Sequence, residues 1–161
     1  MALRNWLLVG AALAGAALCA CNHDQARLTL GPGYGLFYND QGPTVALAYG
    51  LPNSDDVALM LQCAKGSGMV QVSDVARGKP AGAILLASAG RTTSVAVKPE
   101  AGESSGPGVL QGSTPLGAPA LGGFRRSGVI EVAYAGVRYT ITAAPAERPG
   151  VERFFGVCRK A

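Results

Sequence analysis

Histidine is nearly missing from this chain: among 161 residues there is one, His23, close to the N-terminus. Chemistry that runs on an imidazole therefore has little to work with. A serine hydrolase needs a base for its nucleophile, and no G-x-S-x-G elbow is present either. A catalytic thiol meets the same obstacle, because no imidazole is placed to take its proton. Zinc sites need His, Cys, Asp or Glu to converge. The acidic residues Asp74, Glu100, Glu103, Glu131, Glu147 and Glu152 are scattered, and the densest acidic spot is Asp55-Asp56. Two neighbours in a loop-like stretch read as a solvated turn, with weak Ca²⁺ contact as the alternative. A glycosidase pair needs two carboxyls roughly 5–10 Å apart in a cleft, and nothing in the spacing points to one. No catalytic residue, metal or cofactor is expected.

Charge is also sparse. Charged residues make up 15% of the chain, with 14 basic against 10 acidic and a formal net charge of +4. Nucleic-acid proteins concentrate basic residues on one face and add stacking aromatics, and neither pattern is visible. The only adjacent basic pairs are Arg125-Arg126 and Arg159-Lys160. They read first as ordinary solvated side chains, and second as contacts for anionic lipid or polysaccharide headgroups. Gly31-Pro32-Gly33-Tyr34-Gly35 superficially looks like a phosphate loop, but it has no Walker lysine and no following helix pattern, and Pro32 removes an N–H. The five tyrosines with Phe37 could form a recognition patch, although aromatics on strands more often make core or cross-strand pairs.

The N-terminus is where the sequence speaks most clearly. Arg4 is the only charge before His23, and an apolar run from Trp6 to Ala20 follows it. The run is short for a membrane-spanning helix, which needs roughly 20 apolar residues, and it has the proportions of a signal peptide. It ends in Leu18-Cys19-Ala20-Cys21. This tetrapeptide resembles the lipobox of bacterial lipoproteins, with Leu at −3, a small residue at −2, Ala at −1 and then the acceptor Cys; Cys at −2 departs from the usual Ala or Ser. The resemblance implies cleavage before Cys21, diacylglycerol (palmitate-type acyl chains) on the Cys21 sulfur and, in a Gram-negative host, sorting to the outer membrane because residue 22 is Asn rather than Asp. Two or three acyl chains anchor stably where one holds only marginally. The expected organisation is a lipoprotein signal peptide at 1–20, a lipidated tether at 21–33 and one domain at 34–161, facing the periplasm.

Cysteine usage follows from that organisation. Cys19 leaves with the signal peptide and Cys21 carries lipid, so Cys63 and Cys158 remain as an even pair in an oxidising compartment. A Cys63–Cys158 disulfide is expected, tying the C-terminus to an early strand.

From Tyr34 onward the dominant period is two, the signature of strands. Strands are predicted at 34–38, 44–49, 57–63, 69–73, 84–86, 94–97, 129–134 and 137–142, with hairpin turns at Lys65-Gly66-Ser67-Gly68, Ala89-Gly90 and Ala135-Gly136. Residues 99–108 read as an exposed loop, and 113–123 as irregular with a weak helix near Ala118–Gly122. The spacing of Val151, Phe154, Phe155 and Cys158 is that of one apolar helix face. The fold class is mainly β: a single antiparallel β-sandwich or small barrel of about 7–8 strands with a short C-terminal helix. No internal repeat is present.

These features imply a membrane-anchored envelope lipoprotein, a non-catalytic binding or structural module whose partners are the membrane and an envelope protein or polysaccharide, with no nucleic acid. An inhibitor of an exported hydrolase such as lysozyme is the alternative. Lipid-anchored lysozyme inhibitors are small disulfide-tied β-barrels too, but their Ser-Gly-x-x-Tyr type motif is missing here, since Ser127-Gly128 is followed by Val129-Ile130-Glu131. A carboxylate-based hydrolase is the third class. The segments Phe124 to Gly128 (Phe-Arg-x-Ser-Gly) and Phe155 to Arg159 (Phe-x-x-Cys-Arg) are similar to those of small exported bacterial domains of uncharacterised function, and that resemblance carries no activity.

Overall fold

The computed structural model describes residues 26–77, 81–100 and 108–160. The signal-peptide and lipobox expectations, including Cys21 and His23, fall outside them. In chain order the elements are β1 (Ala26–Arg27), β2 (Gly35–Gln41), β3 (Thr44–Gly50), β4 (Val57–Ala64), β5 (Met69–Val75), β6 (Ala83–Ser88), β7 (Arg91–Glu100), β8 (Val109–Pro115), α1 (Pro119–Ser127), β9 (Val129–Tyr134), β10 (Val137–Thr142) and α2 (Arg148–Cys158). The protein is mainly β, and nine antiparallel strands form a curled half-barrel sheet. The full strand order is β1-β10-β9-β6-β7-β8-β5-β4-β3-β2. β1 adds two residues in parallel to β10.

Alternation puts one side of each strand into the concavity. Leu59, Leu61 and Cys63 of β4 point inward, as do Val70 and Val72 of β5, Ile84 and Leu86 of β6, Ile130 and Val132 of β9, and Tyr139 and Ile141 of β10; all are buried. The two helices fill the hollow. Leu121 and Phe124 of α1 and Val151, Phe154 and Phe155 of α2 are buried. Phe155 meets Phe154 edge-on at 5.6 Å and Phe124 at 6.4 Å between ring centroids, which is the favoured aromatic geometry. The predicted helix face of Val151, Phe154, Phe155 and Cys158 is the buried face of α2. The expected disulfide is present between Cys63 and Cys158, with Cα atoms 5.9 Å apart.

The structure differs from the expected elements in three places. Among the described residues the sheet has ten strands, where about seven or eight were expected. β8 went unrecognised because Gly112 and Pro115 look like breakers. Gly112 sits opposite Val97 of β7 and Val72 of β5, where a Cβ would run into the Ala96 carbonyl, so the close approach of β7 requires a glycine in mid-strand. Second, the 99–108 loop expectation gives way at its start, because β7 continues through Glu100; residues 101–107 lie outside the described ones. Third, the weak helix at 118–122 is a firmer one at Pro119–Ser127, stabilised by partners distant in sequence. The Thr93 hydroxyl of β7 accepts the Ala120 amide at 3.0 Å, meeting one of the first-turn donors that a helix leaves unpaired. Within the stretch read as tether, Ala26–Arg27 pairs with β10 and Leu28 and Leu30 pack against the core.

The basic groove and the buried carboxylate

Both helices deliver their C-terminal ends to one place. α1 ends at Gly128, whose amide donates to the Phe124 carbonyl at 2.7 Å and whose φ of 73° suits glycine. Arg148, at the start of α2, donates from Nη2 to the carbonyls of Arg125 and Arg126, each at 2.9 Å. A Cβ at position 128 would collide with that guanidinium. The end of α2 is tied to the β4–β5 turn: the Gly66 amide donates to the Val157 carbonyl at 3.0 Å and the Gly68 amide to the Cys158 carbonyl at 2.9 Å. The Gly68 carbonyl in turn accepts the Leu116 amide at 2.9 Å. Carbonyls that the last turn of each helix leaves without partners are thereby satisfied from elsewhere in the chain.

This arrangement brings Arg125-Arg126 and Arg159-Lys160 into one groove of about 570 Å³, lined also by Gly68, Leu116, Gly117, Gly122 and Phe155. The two basic doublets of the sequence are separate along the chain and neighbours in space. The Nε of Arg125 donates to Glu152 Oε2 at 2.8 Å. Among the described residues, Arg126, Arg159 and Lys160 form no ion pair. Cations at helix C-termini complement the negative end of the macrodipole. That accounts for one charge per helix end and leaves unexplained why two pairs face a shared apolar-floored cleft. Chemically, the groove can hold an anion: guanidinium forks match carboxylate and phosphate in a bidentate manner.

The second concentration of chemistry is internal. Asp74 is 1% exposed and shares the inward side of β5 with Val70 and Val72. Its Oδ1 accepts the Tyr134 hydroxyl at 2.8 Å and its Oδ2 accepts the Tyr139 hydroxyl. Arg77 Nη1 lies 3.7 Å from Oδ1. Burial pushes the Asp74 carboxyl up to about 6, against the pull of the two hydroxyls and the Arg77 charge. Burial and the adjacent carboxylate push Tyr134 up to about 12 and Tyr139 well above the usual phenol range. Asp55 and Asp74 both border a small outer cleft of about 160 Å³. The Asp55 side chain is exposed there, whereas the Asp74 carboxyl is turned into the core onto its tyrosines. The two carboxyls thus occupy different environments.

Other sequence candidates are dispersed. Asp55 and Asp56 lie in the exposed β3–β4 loop, where the Asp56 amide bonds to Ser54 Oγ at 3.2 Å and the nearby Asp56 carboxylate raises the Tyr34 phenol above its usual value. The aromatic residues make no single patch. Tyr134 and Tyr139 serve Asp74, Tyr34 pairs with Tyr49 at 5.6 Å, Tyr38 lies 5.0 Å beneath Arg153, and Phe37 is 40% exposed. The groove was half visible in the sequence, as two basic doublets; their meeting depends on helix packing that no local pattern reports. Compared with known proteins, the chain matches no family model, no curated protein and no solved structure.

Proposed function

We propose that this protein is a lipid-anchored envelope lipoprotein, held in the outer membrane through Cys21 and facing the periplasm, whose β domain is a non-catalytic module binding an anionic partner. The anchor reading rests on the lipobox-like Leu18-Cys19-Ala20-Cys21, and the Cys63–Cys158 disulfide suits the oxidising compartment that export implies. The binding reading is carried by one observation: two basic doublets converge on a single groove, and three of the four cations have no ionic partner among the described residues. The partner belongs to the envelope, as a protein or polysaccharide, and the binding needs no cofactor.

Intact-mass spectrometry of the membrane-extracted protein, with and without reduction, tests the anchor. The expected species begins at Cys21, carries acyl mass and gains two hydrogens on reduction. A chain without acyl mass would remove the anchor from the proposal, and Cys21→Ala should otherwise release the protein from the membrane.

A further inference from the structure

The position of the groove in the sheet carries a narrower conclusion about its occupant. β5 starts at Met69 opposite Pro115, the last residue of β8; the groove residues Gly68, Leu116 and Gly117 flank these two positions. β9 runs antiparallel to β6, which is antiparallel to β7, which is antiparallel to β8. β9 therefore begins at the groove end and travels away from it. It turns at Ala135-Gly136, and β1 enters the sheet there, with Ala26 beside Val137. The six residues of β9 put about 20 Å of strand between the two ends. Ala26, the first described residue, thus lies at one end of the half-barrel, and the basic groove opens at the other.

We infer that the groove binds an acidic glycan, a sugar polymer carrying carboxylates or phosphates, presented on the side of the domain remote from the anchored terminus. The inference rests on the reading of the domain as a binding module. Arg125, Arg126, Arg159 and Lys160 all line the one cleft, which suits a ligand carrying several negative charges. The half-buried Leu116 adds apolar lining to the cleft, beside the largely buried Phe155, against which a sugar C–H face can pack. Gly117 has nothing within 4 Å of where a side chain would begin, which leaves room for a ring. An anionic lipid of the anchoring membrane would lie at the β1 end, where Arg27 and Arg138 are neighbours in register, rather than at the groove.

The test is calorimetric titration of the full chain, extracted in neutral detergent, with a polyuronate oligosaccharide. Maltodextrin is the neutral control, and poly-glutamate and phosphatidylglycerol vesicles are the competing anions. The expected result is binding of the polyuronate, weakened by raised salt, absent with maltodextrin, and lost at least tenfold in Arg126→Gln/Arg159→Gln/Lys160→Gln. All three side chains are exposed, so an unchanged thermal midpoint should accompany the loss. Lys98→Gln, on β7 away from the groove, should bind like the wild type. Polyuronate binding that the triple variant leaves intact would overturn the site. Binding of poly-glutamate or vesicles in preference to polyuronate would overturn the glycan. A failure of either kind leaves an acylated Cys21 and the anchor reading untouched, whereas a protein lacking acyl mass that still binds polyuronate would overturn the anchor alone.

Discussion

Tyr134 donates its hydroxyl to Asp74 Oδ1 at 2.8 Å, although β9 and β5 are separated by β6, β7 and β8 in the sheet. Along a flat sheet four strand spacings would put them about 19 Å apart. The two side chains meet because the sheet curls, and they meet across its interior. Tyr139 of β10 reaches the other carboxylate oxygen. A polar pin thus joins the two halves of the curl, with both oxygens of the buried acid satisfied, as a group so placed requires.

The pin should make stability depend on pH in a particular direction. The folded-state value for Asp74, about 6, lies above the ordinary 3.8, so the native state holds the proton more tightly than the unfolded chain does. The stabilisation this confers is fully present below about pH 4 and is lost as pH rises through about 6. The difference corresponds to roughly 3 kcal/mol. We expect the stability of the wild type relative to Asp74→Asn to fall by that order between about pH 4 and pH 7, measured by denaturant unfolding at each pH. Parallel curves for the two proteins would show that the carboxyl does not titrate in this window.

The disulfide should matter more than any single packing contact. It links residues 95 apart in sequence, and closing a loop of that size restricts the unfolded chain by about 4–5 kcal/mol in the entropy model, with measured values commonly lower. Cys63→Ser is expected to lower the thermal midpoint markedly, and the release of α2 should appear in the same transition. An unchanged midpoint would mean that the bridge contributes nothing to stability.

Arg148 links the two helices that build the groove. Replacing it by Met keeps the aliphatic stem and removes the donors to the Arg125 and Arg126 carbonyls. A loss of about 1–3 kcal/mol is expected from hydrogen bonds to a charged group, together with weakened anion binding, since the backbone that carries Arg125 and Arg126 loses its tie to α2. Binding and stability both at wild-type level would show that the cap is dispensable.

Glu147 works at the open seam of the half-barrel. Its Oε1 accepts the Leu36 amide of edge strand β2 at 3.0 Å, and its Oε2 accepts the Ala144 amide beyond β10 at 2.8 Å. An edge amide without a partner is a liability. In Glu147→Gln one of the two acceptors becomes a donor group. Amide exchange at Leu36 or Ala144 should therefore accelerate by tenfold or more while the central strands keep their protection. Unaltered exchange at both amides would show that the carboxylate does not hold the seam.

The period-two runs of β4, β5, β9 and β10 and the helical spacing of α2 were legible because each is a local pattern: whichever side is apolar must face a core. The pairing of Cys63 with Cys158 was legible because the expected export and lipidation would leave only those two thiols. β8 was not, since a glycine in mid-strand reads as a break until a neighbouring strand is seen to need the space. Asp74 looked like one more scattered acid, because the hydroxyls that satisfy it come from about sixty residues away.

By itself, the sequence determined the β class of the domain, its cysteine pair and an export and anchoring expectation, since these depend on composition, alternation and a short motif. Only the tertiary structure decided which charges share a surface. Arg125-Arg126 and Arg159-Lys160 become one groove because Phe124, Phe154 and Phe155 pack together and the β4–β5 turn bonds to the end of α2. Such contacts arise from burial of apolar area between distant segments, and no window of sequence contains both partners.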